Sequence, residues 1–283
     1  MIDDKYVRLF FNRNLASAQR ENGYAARREI AGLLSEYGKD PRRLEPFGFK
    51  VYSQAEEDGI IEEIFRRLGV EKGWFCEIGV QNGLECNSLY LIHKGWNGAW
   101  IEGNKNQLEP IQQKFGPIIP SRLKLCIGMA TVESVNELLD RLTPADREID
   151  FLSIDIDGND IHLLEALRRR PKVICIEYNA KFPANIVKRQ VYDTQRFWRG
   201  TDYFGASLKA LAEAADRMGY GLVGTNITGS NAFFVRNDLL GQDLFCEDRS
   251  VERLYNPPRY YLIDDHFQYI GHPADFGPYE DLA

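Results

Sequence analysis

A regular alternation that begins at Trp74 constrains this chain more than any other feature. Five short, largely apolar runs, Trp74–Ile78, Gly98–Ile101, Leu123–Ile127, Ile149–Ile154 and Val173–Ile176, are separated by stretches of helical composition, Leu84–His93, Gln107–Phe115, Val132–Leu142 and Ile161–Arg169. Strands that are apolar throughout must be covered on both faces, and helices between them supply that cover. The pattern therefore predicts a parallel sheet layered by helices. Further on, Ser207–Met218 reads as an amphipathic helix. Gly221–Val223 and Ala232–Val235 then flank a Thr/Asn/Gly/Ser-rich turn, the signature of a hairpin. A hairpin reverses the last strand. The expected fold is α/β, a Rossmann-like sheet of seven strands with the last one antiparallel.

The flanks read differently. Residues 13–37 mix Ala, Leu, Arg and Glu in helical proportion, with Gly38 as a stop, and the segment 39–50, with Pro41 and Pro46, is a connector. Ser53 with Glu56 has the spacing of a capping box, ahead of Ile60, Ile61, Ile64, Phe65 and Leu68 at helical intervals and a terminating Gly69. We expect an N-terminal helical extension over 1–50, a main domain over 51–237 and an aromatic-rich C-terminal tail over 238–283. That tail can cover the domain, build a homo-oligomer contact or wall a substrate site; its aperiodic sequence does not choose.

Composition excludes several roles. Forty-two acidic against 35 basic residues give a net charge of -7, which argues against nucleic acid as a general partner. Arg27-Arg28 and Arg168-Arg169-Arg170 are the densest basic spots and read as solvated helix faces. The five cysteines form no CxxC pair and sit mostly in apolar runs, as reduced structural thiols do. No apolar stretch approaches the ~20 residues of a membrane span, and Met1-Ile2-Asp3-Asp4-Lys5 has no signal-peptide character. A cytoplasmic protein without an integral membrane segment is the expectation.

The first candidate site is Glu77-Ile78-Gly79-Val80-Gln81-Asn82-Gly83, an acid-x-Gly-x-x-x-Gly loop between a strand and a helix. Gly79 and Gly83 permit a tight turn and a close approach to a ligand. A dinucleotide loop would carry glycine where Glu77 stands, and an anion there repels a pyrophosphate. A cationic sulfonium cofactor, S-adenosylmethionine, fits better, with Glu77 holding its amino group. At the tip of the next strand, Glu102 is placed to accept both hydroxyls of an adenosyl ribose. Asn82 belongs to the same loop, and Met129, after the third strand, would lie near an adenine. The plain alternative is a strand-to-helix turn that needs glycine for its own path.

These segments resemble the FkbM-like branch of the class I S-adenosylmethionine-dependent methyltransferases, over roughly residues 50–237. The likeness is carried by the Glu77–Gly83 loop and by Ile154-Asp155-Ile156-Asp157-Gly158, in which Asp157 stands where the family usually has Glu and Ser153 where it often has Lys. Ser53–Gly59 and Gly229–Val235 add to it. The resemblance implies the class I methyltransferase sheet and methyl transfer to oxygen, often on a sugar or another small hydroxylated acceptor. The Asp157 departure leaves the acceptor open. N-methylation on the same fold, or a methyltransferase-like binding protein without catalysis, are the alternatives.

Carboxylates gather at the ends of the fourth and fifth strands: Asp155, Asp157, Asp160 and Glu177, with Asn179 beside them. Ligands of open α/β sheets bind beyond those ends. Asp155, Glu177 and Asn179 would give all-oxygen ligation suited to Mg²⁺, as in catechol O-methyltransferase-like enzymes. In a metal-free scheme Asp157 or His162 takes the acceptor's proton. Equally, Asp155 can anchor backbone N–H groups and Asp160 can cap the following helix. His93, His266 and His272 show no usable pattern. The long connection 178–203, with Phe182, Tyr192, Phe197, Trp198, Lys188, Arg189, Arg196 and Arg199, reads as a lid of aromatic and basic residues or as an extra packed helix.

Overall fold

A computed structural model describes residues 4–195, 197–262, 272, 274–275 and 277–280, with side chains from residue 21 onward. Arg196 and His266 lie outside the described residues.

The chain opens with α1 (Asp4–Tyr37), which ends where Gly38 donates its N–H to the Leu34 carbonyl at 2.9 Å. The helix starts well before residue 13, because no Pro or Gly lies between Asp4 and Arg13. After the connector, α2 (Glu57–Leu68) buries Ile60, Ile61, Ile64 and Phe65 and stops at Gly69, whose φ of 69° is the left-handed cap. The capping box at its start is built differently from the expectation. Asp58, rather than Glu56, answers Ser53: its N–H donates to Ser53 Oγ (3.1 Å), and its carboxylate accepts the N–H groups of Val51, Tyr52 and Ser53 at 2.7, 2.6 and 3.0 Å. Glu56 is thereby released to accept the Ile227 N–H across the fold.

The main sheet has seven strands: β1 (Trp74–Ile78), β2 (Asn97–Glu102), β3 (Leu123–Ile127), β4 (Phe151–Ile154), β5 (Val173–Glu177), β6 (Tyr220–Thr225) and β7 (Asn231–Arg236). Their spatial order is β3-β2-β1-β4-β5-β7-β6. The first five are parallel, and β7 runs antiparallel to both neighbours. This is the expected Rossmann-like sheet of seven strands with its last strand reversed. The reversal follows from the turn 226–230, where Asn226 Oδ1 accepts the N–H groups of Ser230 and Asn231, each at 2.9 Å.

Alternate residues of each strand face opposite helical layers, as a pleated backbone requires. Trp74, Cys76, Ile78, Leu152, Ile154, Ile174 and Ile176 pack in one core with α5 (Val135–Leu142), α6 (Asp160–Ala166) and α7 (Leu208–Arg217). Phe75, Trp100, Phe151, Val173 and Cys175 pack in the other with α2, α3 (Leu89–His93) and α4 (Leu108–Phe115). The C-terminal segment joins the first core through Cys246, Val251 and Leu254. All five cysteines are free. Among the described residues no helix is long and apolar enough to cross a membrane.

Among its described residues the connection 178–203 contains no helix. It holds a short strand, Arg189–Gln190, paired antiparallel with Tyr279–Glu280 near the C-terminus. The salt bridge from Arg189 to Glu280 (2.8 Å) and the one to Glu165 (2.6 Å) pin this ribbon to the domain.

Candidate functional site

The chain breaks direction beyond the carboxyl ends of β1, β2, β4 and β5, and there a cavity of about 470 Å³ opens. Its size is that of a small-molecule site. Glu77, Gly79, Glu102, Met129, Asp155, Asp157 and Glu177 all contribute to its wall.

The glycine loop has its own structural reason. Gly79 has φ 89°, and a Cβ there would stand 1.6 Å from the Asp155 carbonyl oxygen. Gly83 has φ 78°, and its Cβ would strike the Trp100 ring at 2.6 Å. Both glycines are thus demanded by contact with the chain itself, whereas the sequence suggested approach to a ligand. Only Gly79 reaches the wall. Gly83 and Asn82 shape the turn behind it, with Asn82 Oδ1 accepting the Leu84 N–H at 2.9 Å.

Glu77 is 2% exposed. One oxygen accepts the Asn87 N–H at 2.8 Å; the other accepts the Ser88 N–H at 2.9 Å and the Ser88 hydroxyl. The carboxylate so anchors the backbone entering α3, where the amide dipoles favour an anion. Burial pushes its pKa up, and the Ser88 and Asn87 donors pull against that. Glu102 is similarly held: Oε2 accepts the Gln81 N–H at 2.6 Å and Oε1 the Asn104 N–H at 2.7 Å. Each oxygen keeps a lone pair for a further donor. Met129, 45% exposed, lies over Gly103 on the same side.

The opposite wall is built from strands β4 and β5. Asp155, Asp157 and Glu177 each offer a carboxylate oxygen within 4.8 Å of the others. Asp157 sits at φ 57°, a left-handed conformation that Asp tolerates better than most residues. Asp160 keeps it there, taking the Ile156 and Gly158 N–H groups at 2.8 Å each. Asp160 therefore anchors the preceding loop instead of capping α6, and burial raises its pKa to about 6. The anchoring considered for Asp155 falls to Asp160. Burial raises Asp155 far above the carboxylate range, and Asp157, Asp160, Glu77 and Glu57 add to it. Glu177 is raised by burial and then by Asp155, Asp157 and Asp160, and Asp157 by burial and then Glu102. Like charges confined in a low-dielectric pocket produce these shifts.

Two expected members are absent from this group. Asn179, 1% exposed, donates to the carbonyls of Asp202 (2.8 Å) and Phe204 (2.9 Å) and accepts the Lys181 N–H at 3.2 Å. It ties down the loop that follows and leaves the carboxylates to Asp157. His162 turns to the other side of α6, where Nε2 bonds the Gln190 carbonyl at 2.8 Å and the ring packs on Tyr192 at 5.3 Å. It is not on the cavity wall.

The remaining wall is aromatic. Tyr192, Phe197, Trp198, Phe204, Tyr260 and His272 line it. Of the aromatics expected in the lid, Tyr192, Phe197 and Trp198 reach the wall, whereas Phe182 packs on Tyr279 at 5.3 Å and Arg189 is paired with acids outside the cavity. Tyr260 and His272, their rings 4.9 Å apart, come from the tail, where no sequence periodicity singled them out. Asn231 was also missed as a site residue. The register of β5 and β7 sets it opposite Glu177.

No protein-family model matches the sequence, and no curated protein matches it. Among solved structures, the chain is similar to a TehB-like SAM-dependent methyltransferase from Corynebacterium glutamicum, at 13% identity and TM-score 0.36, covering 73% of this chain and 99% of that one. It is similar to the glycopeptide N-methyltransferase MtfA complexed with S-adenosyl-L-methionine, at 12% identity and TM-score 0.41, over 67% and 96% of the two chains. A third is the N-terminal domain of EvdMO1 in the presence of SAH and D-fucose, at 16% identity and TM-score 0.43, over 74% and 94%. The fold assignment rests on the strand order of the chain itself.

Proposed function

We propose that this chain is an S-adenosylmethionine-dependent O-methyltransferase acting on a hydroxyl of a small, carbohydrate-related acceptor. The observation that carries the reading is Glu102. A carboxylate at the tip of β2, beside the Gly79 turn and on the wall of one cavity, is suited to the paired hydroxyls of an adenosyl ribose. Its two oxygens are already fixed by backbone N–H groups, so it is preorganised for that contact. Met129 supports the adenine side. Glu77 contributes negative potential near the methionine end and holds α3 in place.

The cofactor, when bound, supplies an electrophilic methyl group on a sulfonium. The chain's own task is to orient a hydroxyl and accept its proton. Asp157, on the cavity wall, is the assigned proton acceptor, and burial, followed by the charge of Glu102, raises its pKa and so makes its carboxylate a stronger base. The aromatic wall of Trp198, Phe204 and Tyr260 offers faces on which a sugar ring stacks.

Calorimetry with S-adenosylhomocysteine tests the reading directly. Binding to the wild-type chain that weakens in Glu102→Ala, together with no binding of NAD, is the expected result. A folded chain that ignores S-adenosylhomocysteine would sink the proposal. Formation of S-adenosylhomocysteine from S-adenosylmethionine across a panel of sugars and amines then separates O-transfer, N-transfer and binding without catalysis.

A further inference from the structure

The three clustered carboxylates have a neighbour that changes what the cluster can bind. Asn231 is 4% exposed and lines the cavity. It stands directly opposite Glu177 in the antiparallel β5–β7 pair, so the two side chains leave the sheet on the same face. Its amide is oriented: Nδ2 donates to Glu57 Oε1 at 2.9 Å, and Glu57 is itself held by Asn226 Nδ2 at 2.7 Å and the Ala55 N–H at 2.8 Å. That leaves Asn231 Oδ1 buried with no hydrogen-bond partner among the described residues, and Glu177 Oε2 is in the same condition. Two buried acceptors without donors, beside two further carboxylates, are costly unless something positive sits between them.

We propose that Asp155, Asp157, Glu177 and the side-chain carbonyl of Asn231 form a binding site for one divalent cation, Mg²⁺ or Mn²⁺. The spacing fits. Oxygens on one ion at roughly 2.0–2.6 Å are at most about 4–5 Å apart, and the three carboxylates already offer oxygens within 4.8 Å of one another. The donor set fits as well, since carboxylate and amide oxygens without nitrogen or sulfur select hard cations. Charge decides between cations. A monovalent ammonium would leave two of three negative charges uncompensated, whereas a divalent ion leaves one. Four protein oxygens leave positions on a six-coordinate ion for water or a substrate hydroxyl.

The site does not depend on methyl transfer, and its test needs neither donor nor acceptor. The full chain, stripped with EDTA and dialysed, is titrated with MnCl₂ at pH 7.5 while free Mn²⁺ is followed by electron paramagnetic resonance. The expected result is one Mn²⁺ per chain, displaced by Mg²⁺. Asp155→Asn and Glu177→Gln should each weaken binding by at least the roughly 10–100-fold that loss of a partner behind a metal ligand costs. Asn231→Leu should weaken it less, and Asp216→Asn, on an exposed helix face, should leave it unchanged. Circular dichroism verifies that each variant is folded. Absence of stoichiometric Mn²⁺ binding to the wild-type chain overturns the proposal, as does binding that survives both carboxylate substitutions. Either outcome leaves the S-adenosylhomocysteine measurement untouched.

Discussion

At the tips of β1 and β2, Glu77 and Glu102 are surrounded by donors from their own chain: Asn87 and Ser88 for the first, Gln81 and Asn104 for the second. At the tips of β4 and β5, Asp155, Asp157 and Glu177 face one another, and the charges that act on Asp155 and Glu177 are other carboxylates. Both sets line one cavity and both are acidic. What differs is satisfaction. A carboxylate held by backbone donors shapes the protein and presents a fixed surface; a cluster without donors stores unfavourable free energy that a ligand can release. Acidity alone therefore does not mark the reacting side of the cavity.

Substitutions can break this contrast, and the largest effect is expected in turnover. Asp157→Asn keeps the shape and removes the charge, so methyl transfer to a true acceptor should fall by about 10²–10⁴-fold, the range for losing a general base. S-adenosylhomocysteine affinity should barely move. Unchanged turnover would remove Asp157 and leave Asp155 and Glu177 to carry the chemistry.

Stability comes next. Glu77→Gln turns an NH₂ towards donors that now meet an oxygen, so urea unfolding should show a loss of roughly 3 kcal/mol or more from several broken charged hydrogen bonds. Glu177→Gln, measured without divalent cations, should leave stability equal or higher, because it removes one of three crowded charges. Equal losses in the two variants would erase the distinction between the walls.

A smaller effect is expected at the ribose contact. Glu102→Ala should cost about 1.5–3 kcal/mol of S-adenosylhomocysteine binding for each charged hydrogen bond lost, read by calorimetry. Wild-type affinity in a folded variant would make Glu102 a loop anchor only.

A further effect concerns pH. Glu56, wedged beside Glu57 and the Ile227 N–H, is an intermediate case, with burial and then Glu57 raising its pKa from 4.5 to about 8. The folded chain holds a proton there that the unfolded chain has released. This contribution to stability is complete below about pH 4.5 and is lost as pH rises through 8. The melting temperature should decline from pH 5 to 9, and Glu56→Gln should flatten part of that decline. An identical slope in the variant would assign it to other buried acids.

Much of this was legible along the chain. Strands β1, β3 and β5 begin where the apolar runs begin, and Gly69 ends α2 as expected, because strand pleat, helical period and left-handed caps are properties of a few consecutive residues. The hairpin was readable from its turn residues. The helix after Gly83 was not: only Leu89–His93 is helical, since the N–H groups of Asn87 and Ser88 are drawn to Glu77 and that of Leu84 to Asn82 instead of into a helix. The Ser53 box closed on Asp58 because three backbone N–H groups converge on that carboxylate, a result of how the connector folds back.

The sequence by itself determined which groups reach the carboxyl edge of the sheet, since strand direction and alternation place Glu77, Glu102, Asp155 and Glu177 there from local pattern alone. Only the tertiary structure decided what each of them meets. Asn179 is spent on the carbonyls of Asp202 and Phe204, His162 on that of Gln190, and Asn231 arrives beside Glu177 from across the β5–β7 pair. Hydrogen-bond partners far apart in sequence are set by strand register and loop path, which depend on the whole core, and no short stretch of residues encodes them.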